Sequence, residues 1–353
     1  MTTNLGIPLS VLDVAPVAEG FTPADALRNS LDLAPRAERL GYTRYWVAEH
    51  HNMPGIASSS PPVLLAHIAS VTSTMRVGSG GVMLPNHSSL VVAEQFGMLE
   101  ALHPGRVDLG IGRAPGTDQL TAYALRRAQT SVDDFPNQMV ELEGYFSGEW
   151  PEQHPFKDIL ANPGRGYRPA VWMLGSSDYG AHAAGVLGLP YSFAHHFSSG
   201  NTDLAVKTYR ESFETNQPDR VDESYLMLGV SVLCAETDER AEWLAGSGKL
   251  SFIRMRTGRP GRLPTPEEAA AYEYSPQEQA LLDSRVGSQV VGSPETVRAE
   301  LATLIERTGT DELMITTSAH AYEARVRSYE LIAEVTGLDP REVEAPPAGV
   351  ASV

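Results

Sequence analysis

Residues 76–113 read RVGSGGVMLPNHSSLVVAEQFGMLEALHPGRVDLGIGR and contain one complete strand–helix–strand unit. The first eight residues form a short run of valines and small residues, bounded by turn residues, that reads as a strand. Ser88 or Ser89 then opens a helix. Its apolar positions are Val91, Val92, Phe96, Leu99 and Leu102, and Pro104-Gly105 stops it. Residues 106–111 form the second strand. Both strands read as apolar on both faces, as parallel strands do when helices cover them.

The same alternation runs through the chain. Further strands are expected at about 5–11, 45–49, 171–175, 190–194, 226–234 and 312–317, which makes eight. Thr22-Pro23-Ala24-Asp25 starts a helix with a cap, a first-turn proline and an acid. Pro35 conflicts with that helix and should cost one of its hydrogen bonds. Ser60-Pro61 and Ser293-Pro294-Glu295 start two more, and a last helix is expected at about 321–336. Eight strand-then-helix units point to a single (β/α)8 TIM barrel over residues 1–340. A doubly wound open sheet is the alternative. Residues 112–170 and 235–311 are connections too long for a simple unit. The second is a long insertion between the seventh and eighth expected strands. Within it, 256–290 is polar and proline-rich and reads as a mobile lid or a disordered stretch. Residues 341–353 read as a loose tail.

The chain has 353 residues, with 27 Lys and Arg against 44 Asp and Glu, a net charge of −17. Such a protein repels nucleic acid and anionic membranes, so neither is an expected partner. Any phosphate must be held by a local site. The single cysteine excludes an internal disulfide and a thiolate zinc site. With no long apolar run and no basic N-terminal start, a cytoplasmic location is expected.

In a barrel the reacting groups lie where strands end. The expected strands place Glu49-His50-His51, Gly80-Gly81, Arg113, Ser176-Ser177 and His195-His196 at one mouth. The two histidine pairs raise a metal site. Neighbouring strand residues point to opposite faces, however, and no set of acids converges, so no metal is expected. Ser176-Ser177 opens a helix directly after a strand, where unpaired N–H groups and the helix dipole favour a phosphate. Arg113 supplies a fixed charge for it. No GxxxxGK[ST] is present, and no GxGxxG opens an early helix, so the chain lacks a nucleotide fingerprint of its own.

Several segments resemble the bacterial luciferase-like flavin monooxygenases: Tyr45-Trp46-Val47-Ala48-Glu49-His50-His51, residues 77–85, residues 104–113, and Val291-Gly292-Ser293-Pro294-Glu295. The likeness runs over about residues 5–340. It implies a (β/α)8 barrel, often dimeric, that binds reduced FMN. A flavin C4a-peroxide formed with O2 then oxidises an organic substrate. By the same likeness His50 is the active-site histidine, and Gly80-Gly81 is a cis peptide beside the flavin ring. Arg113 and Ser177, with Ser176 beside them, hold the phosphate. The sequence departs from light-emitting luciferase at Gly112, Ser176 and Gly180, which speaks against light emission. A separate flavin reductase is expected as electron supplier, and a homodimer as the assembly. Met83, Phe193 and His195 are candidates for the substrate pocket. The alternatives are a deazaflavin-dependent oxidoreductase and a flavin-binding protein without turnover.

Overall fold

The computed structural model describes residues 4–125, 134–215, 222–285 and 287–343. Among them nine strands form: β1 Leu9–Asp13, β2 Arg44–Val47, β3 Arg76–Met83, β4 Val107–Gly112, β5 Ala170–Gly175, β6 Tyr191–Phe193, β7 Leu226–Cys234, β8 Gln289–Gly292 and β9 Glu312–Thr316. They pair in the order β6-β5-β4-β3-β2-β1-β9-β7-β8, and a β6–β7 pairing closes the ring. Each pairing is parallel. Eight strands therefore make a closed (β/α)8 barrel, as the alternation predicts.

The ninth, β8, lies inside the long insertion. It pairs only with Ser231–Cys234 of β7, beyond the part of β7 that pairs with β6. The strand expected at 312–317 is thus the ninth in the chain. β8 has four residues, too few for a period to show. β1 starts four residues later than expected, because Gly6 turns the chain at φ +79.

Strand alternation divides the core in two. Outward side chains such as Val11, Tyr45, Val77, Leu109 and Phe193 pack under the helices in the main cluster. Leu12, Trp46, Trp172, Met227 and Met314 point inward and fill the barrel. Beneath them, at the strand starts, lies a charged layer. Arg44 contacts Asp108 (2.9 Å) and Glu312 (3.1 Å), and Arg76 contacts Asp108 (2.5 Å). Trp46 Nε1 donates to Asp108 at 3.0 Å. This end is plugged, so the open mouth is the one at the strand C-termini.

The helix Pro23–Arg39 has the expected start: Thr22 accepts from the Asp25 N–H in a capping box. It runs through Pro35, whose missing N–H costs one ladder bond without ending the helix. Ser293 caps the helix Pro294–Thr308, which stops at Gly309 in the left-handed region. Segment 256–290 carries two short helices, Pro266–Ala271 and Pro276–Asp283, capped by Thr265 and Ser275. It seats against the loop after β1: Leu263 N–H donates to Val17 O and Glu19 N–H to Leu263 O, both at 2.9 Å. Of the tail, 344–353 lie outside the described residues, while Arg341 N–H donates to Arg39 O. Among the described residues no helix is long and apolar enough to cross a membrane.

Candidate active site

A cavity of about 620 Å3 opens at the strand C-termini, within the range of roughly 300–1,000 Å3 usual for small-molecule sites. Its walls are mainly apolar: Leu12, Trp46, Met173, Leu174 and Met314. His50, Gly80, Gly81, Met83, Arg113, Ser176 and Ser177 all line it. The barrel thus brings together residues from β2, β3, β4 and β5.

One side of the cavity is bare backbone. The Gly80-Gly81 peptide is cis, and the β3–β4 register shifts between Gly80 and Val82. A Cβ on Gly80 would lie 2.6 Å from Leu12 Cδ1, one on Gly81 2.7 Å from Gly110 O, and one on Gly110 2.1 Å from Ser79 O. At Gly81 and Gly110 only glycine lets the two backbones approach so closely, and at Gly80 it leaves room for the Leu12 side chain. The result is a side-chain-free patch on which a flat ring can lie.

At another side β5 leads into the helix Asp178–Val186. Ser177 is its N-cap, in extended conformation, and its hydroxyl makes no cap hydrogen bond. Tyr191 Oη donates to Ser177 O at 3.2 Å and holds this turn. A Cβ on Gly175 would lie 2.9 Å from that same phenol oxygen, which explains the glycine. The Arg113 guanidinium stacks 3.9 Å over the Tyr179 ring, which fixes its plane. The arrangement fits a phosphate group: a positioned guanidinium, two hydroxyls and a helix start.

His50 and His51 diverge. The His50 N–H donates to Ser58 O at 3.0 Å, and its Nδ1 lies 3.4 Å from Gly116 O. Burial pulls the His50 pKa below the ordinary imidazole value, against the opposing Gly116 carbonyl. His51 turns instead to Glu49, with Nε2 2.9 Å from Oε1. Glu49 is fully buried and also accepts from Met83 N–H (3.0 Å) and His87 Nε2 (2.9 Å). Burial alone would raise the Glu49 pKa, but the bonds from His87, His51 and Met83 outweigh it and hold the carboxyl low. Glu49 therefore pins the end of β2 to the end of β3, and has no direct bond to His50. The His87 partnership had no sequence signal, since 38 residues separate the pair.

Two pocket candidates need correction. Phe193 points outward from β6 into the main core. His195 is also turned away: its Nδ1 lies 2.7 Å from Thr202 Oγ1 and its Nε2 2.9 Å from Gly287 O. The chain leaves β6 at Ala194 and enters the short helix His195–Ser198, so strand alternation no longer applies there. His196 and Phe197 take the lining positions instead. His196 Nδ1 donates to Gly229 O at 2.8 Å, and burial pushes its pKa down to about 4. The ring is neutral at pH 7.

The insertion contributes lining residues that sequence patterns did not mark: Met255, Arg285 and Gln289. The Arg285 guanidinium sits 4.2 Å over the Phe252 ring. Burial lowers its pKa. Among the described residues no group of three or more His, Cys, Asp or Glu is placed to hold a metal ion.

Comparison with known proteins agrees with this geometry. A family model described as luciferase-like monooxygenase matches residues 8–312. The chain is 42% identical to a luciferase-like monooxygenase of Escherichia coli strain K12, over 94% of this chain and 98% of that one. It is 35% identical to the N-acetyl-S-alkylcysteine monooxygenase of Bacillus subtilis, over 93% and 98%. The crystal structure of apo-MsnO8 superposes with a TM-score of 0.85 at 39% identity, covering 95% of this chain and all of that one. The chain is an enzyme that belongs to the luciferase-like monooxygenase family.

Proposed function

We propose that this enzyme uses reduced FMN, supplied by a separate flavin reductase, and O2 to oxidise a small organic substrate. The observation that carries this reading is one cavity with a bare glycine wall and, beside it, Arg113 with the serine-capped helix start. Arg113, Ser176 and Ser177 would hold the phosphate, and the Gly80-Gly81 backbone would receive the ring. When bound, reduced FMN supplies two electrons and activates O2, one oxygen atom going to the substrate and the other to water. The chain's own part is to bind and orient, to exclude water with Leu12, Trp46, Met173 and Met314, and to handle protons at His50. The test is the oxidation of reduced FMN by O2 with and without the enzyme, because free reduced FMN consumes O2 unaided: the enzyme should change the rate of that oxidation and lower the hydrogen peroxide released when an oxidisable substrate is present. An absorption spectrum of a copurified deazaflavin, or a rate and peroxide yield identical to the enzyme-free reaction, would refute the reading.

Arg113→Ala should weaken FMN binding by about 1.5–3 kcal/mol, the range for hydrogen bonds to charged groups. Riboflavin, which lacks the phosphate, should bind both proteins almost equally. Fluorescence titration checks this, and equal losses for the two ligands would remove Arg113 from the phosphate site.

Segment 256–290 is proposed as a lid that opens without ligand. Limited proteolysis of the ligand-free enzyme should then cut first within it, and saturating FMN should slow that cut. Protection of this segment in the free enzyme would make it a fixed wall.

A homodimer is proposed, with its contact on the helices Pro61–Val71 and Ser89–Leu102, which pack side by side and expose Val63, Val91, Met98 and Leu102. An apolar face of this kind needs a cover. Met98→Glu with Leu102→Glu should halve the mass seen by light scattering. A parent of monomer mass, or an unchanged dimer mass in the double variant, overturns this proposal.

A further inference from the structure

Although the protein carries a net charge of −17, among the described residues no Asp, Glu or Lys lines the cavity, while two arginines do. They come from different places. Arg113 follows β4, and Arg285 lies in the turn before β8, which pairs with β7. β4 and β7 are three strands apart around the ring of eight. Arg113 accounts for one anion, the phosphate. Arg285 is left over.

Four other buried or half-buried arginines are matched. Arg44 and Arg76 contact carboxylates, as does Arg325 at Asp13. Arg106 donates to the Met75 and Thr72 carbonyls at 3.0 Å. Arg285 has no acidic partner among the described residues, and burial alone acts on it. Its guanidinium face is held on Phe252 at 4.2 Å, which leaves the N–H edge for a planar anion. A partly desolvated, unmatched cation is costly unless a ligand neutralises it. Phe197, Met255, Leu233 and Val291 supply apolar contact in the same cavity.

We propose that Arg285 binds a carboxylate on the organic substrate, so that the enzyme acts on small apolar carboxylates. This rests on the reading of the Arg113 end as the flavin phosphate site. Gln289 lines the same region and can donate to the second carboxylate oxygen.

The experiment is calorimetric titration of the enzyme with octanoate and with octanamide, each with and without FMN. Arg285→Gln, Arg285→Lys and Arg113→Ala are compared with the parent, and thermal melting confirms that each is folded. The parent should bind octanoate at least about tenfold more tightly than octanamide, the scale of a hydrogen-bonded charge. Arg285→Gln should erase that preference while octanamide and FMN affinities stay within about twofold. Arg285→Lys should keep part of it. No measurable octanoate binding, equal affinity for the two ligands in the parent, or a preference that survives Arg285→Gln overturns the proposal. So does an FMN loss in Arg285→Gln as large as in Arg113→Ala, which would make Arg285 a phosphate ligand. An octanoate preference in a parent that does not bind FMN supports the Arg285 subsite and refutes the flavin reading.

Discussion

Asp13→Ala is expected to destabilise the fold by about 3–5 kcal/mol, the usual cost of leaving one member of a buried ion pair uncompensated. Asp13 ends β1 and is fully buried. Its carboxylate accepts from Arg325 Nη2 (2.6 Å), Ser30 Oγ (2.6 Å), Tyr45 Oη (2.5 Å) and Ala15 N (2.7 Å). Arg325 comes from the last helix, Tyr322–Thr336, and Ser30 from the first. One side chain thus ties the start of the barrel to its end. Leu12 and Val14, on either side of it, line the cavity, so the same bonds hold part of the active-site wall. Urea unfolding measures the loss, and Asp13→Ala combined with Arg325→Met should recover much of it by removing the stranded charge. Burial by itself would raise the Asp13 pKa, but Arg325, Ser30, Tyr45 and Ala15 win and hold it below the ordinary value. A depressed folded pKa gives stability that is fully present above the unfolded value, about 3.9, and is lost as pH falls through the folded one. The gap between parent and Asp13→Ala should therefore be widest above about pH 4 and close below it. A gap that persists unchanged through that range, or a loss under 1 kcal/mol, would mean that the pair is not a stabilising feature.

The barrel was legible because its strands are short runs of branched apolar and small residues between turn residues, and several helices open on Ser or Thr before a proline. Residues 76–113 carry two such strands, whose bounds in the structure lie within a residue of the reading, and the helix between them begins at Ser89 without a side-chain cap bond from Ser88. The cavity's β2, β3, β4 and β5 contributions were legible for a related reason. A barrel puts strand ends at one mouth, so residues at His50, Gly80, Gly81, Arg113 and Ser177 follow from the strand positions. What escaped depends on contacts between distant segments. Asp13 and Arg325 are 312 positions apart, and nothing local distinguishes a buried acid from an exposed one. His195 and His196 were exchanged because the backbone turns helical one residue after β6. Arg285 sits in a stretch without apolar period, where only the caps at Thr265 and Ser275 signal order, and its meaning appears only when the acid-free wall around it is seen.

His50→Ala should lower product formed per reduced flavin about 10²-fold or more, the scale for a lost proton-transfer group, while FMN affinity stays within about tenfold. The affinity survives because Arg113 and the serine-capped helix start are untouched. The product yield falls because moving oxygen to a substrate needs a proton delivered and withdrawn on time, and His50 is the imidazole from β2 that lines the cavity. The Gly116 carbonyl can only accept, so the 3.4 Å contact favours a proton on Nδ1 and leaves Nε2 as the basic atom. Burial keeps the ring's pKa below the usual 6.5, so the neutral form dominates at pH 7. The acid limb of the yield–pH profile should then fall below pH 6.5 in the parent and vanish in His50→Ala. Unused reducing equivalents should leave as hydrogen peroxide, which a coupled peroxidase assay counts. His51→Ala is the control with the opposite signature. It removes one of the bonds that hold Glu49, so it should cost about 1–3 kcal/mol of stability with little change in yield per folded enzyme. Normal yield in His50→Ala together with a collapse in His51→Ala would assign the proton to the Glu49 side of β2, where His51, Glu49 and His87 meet.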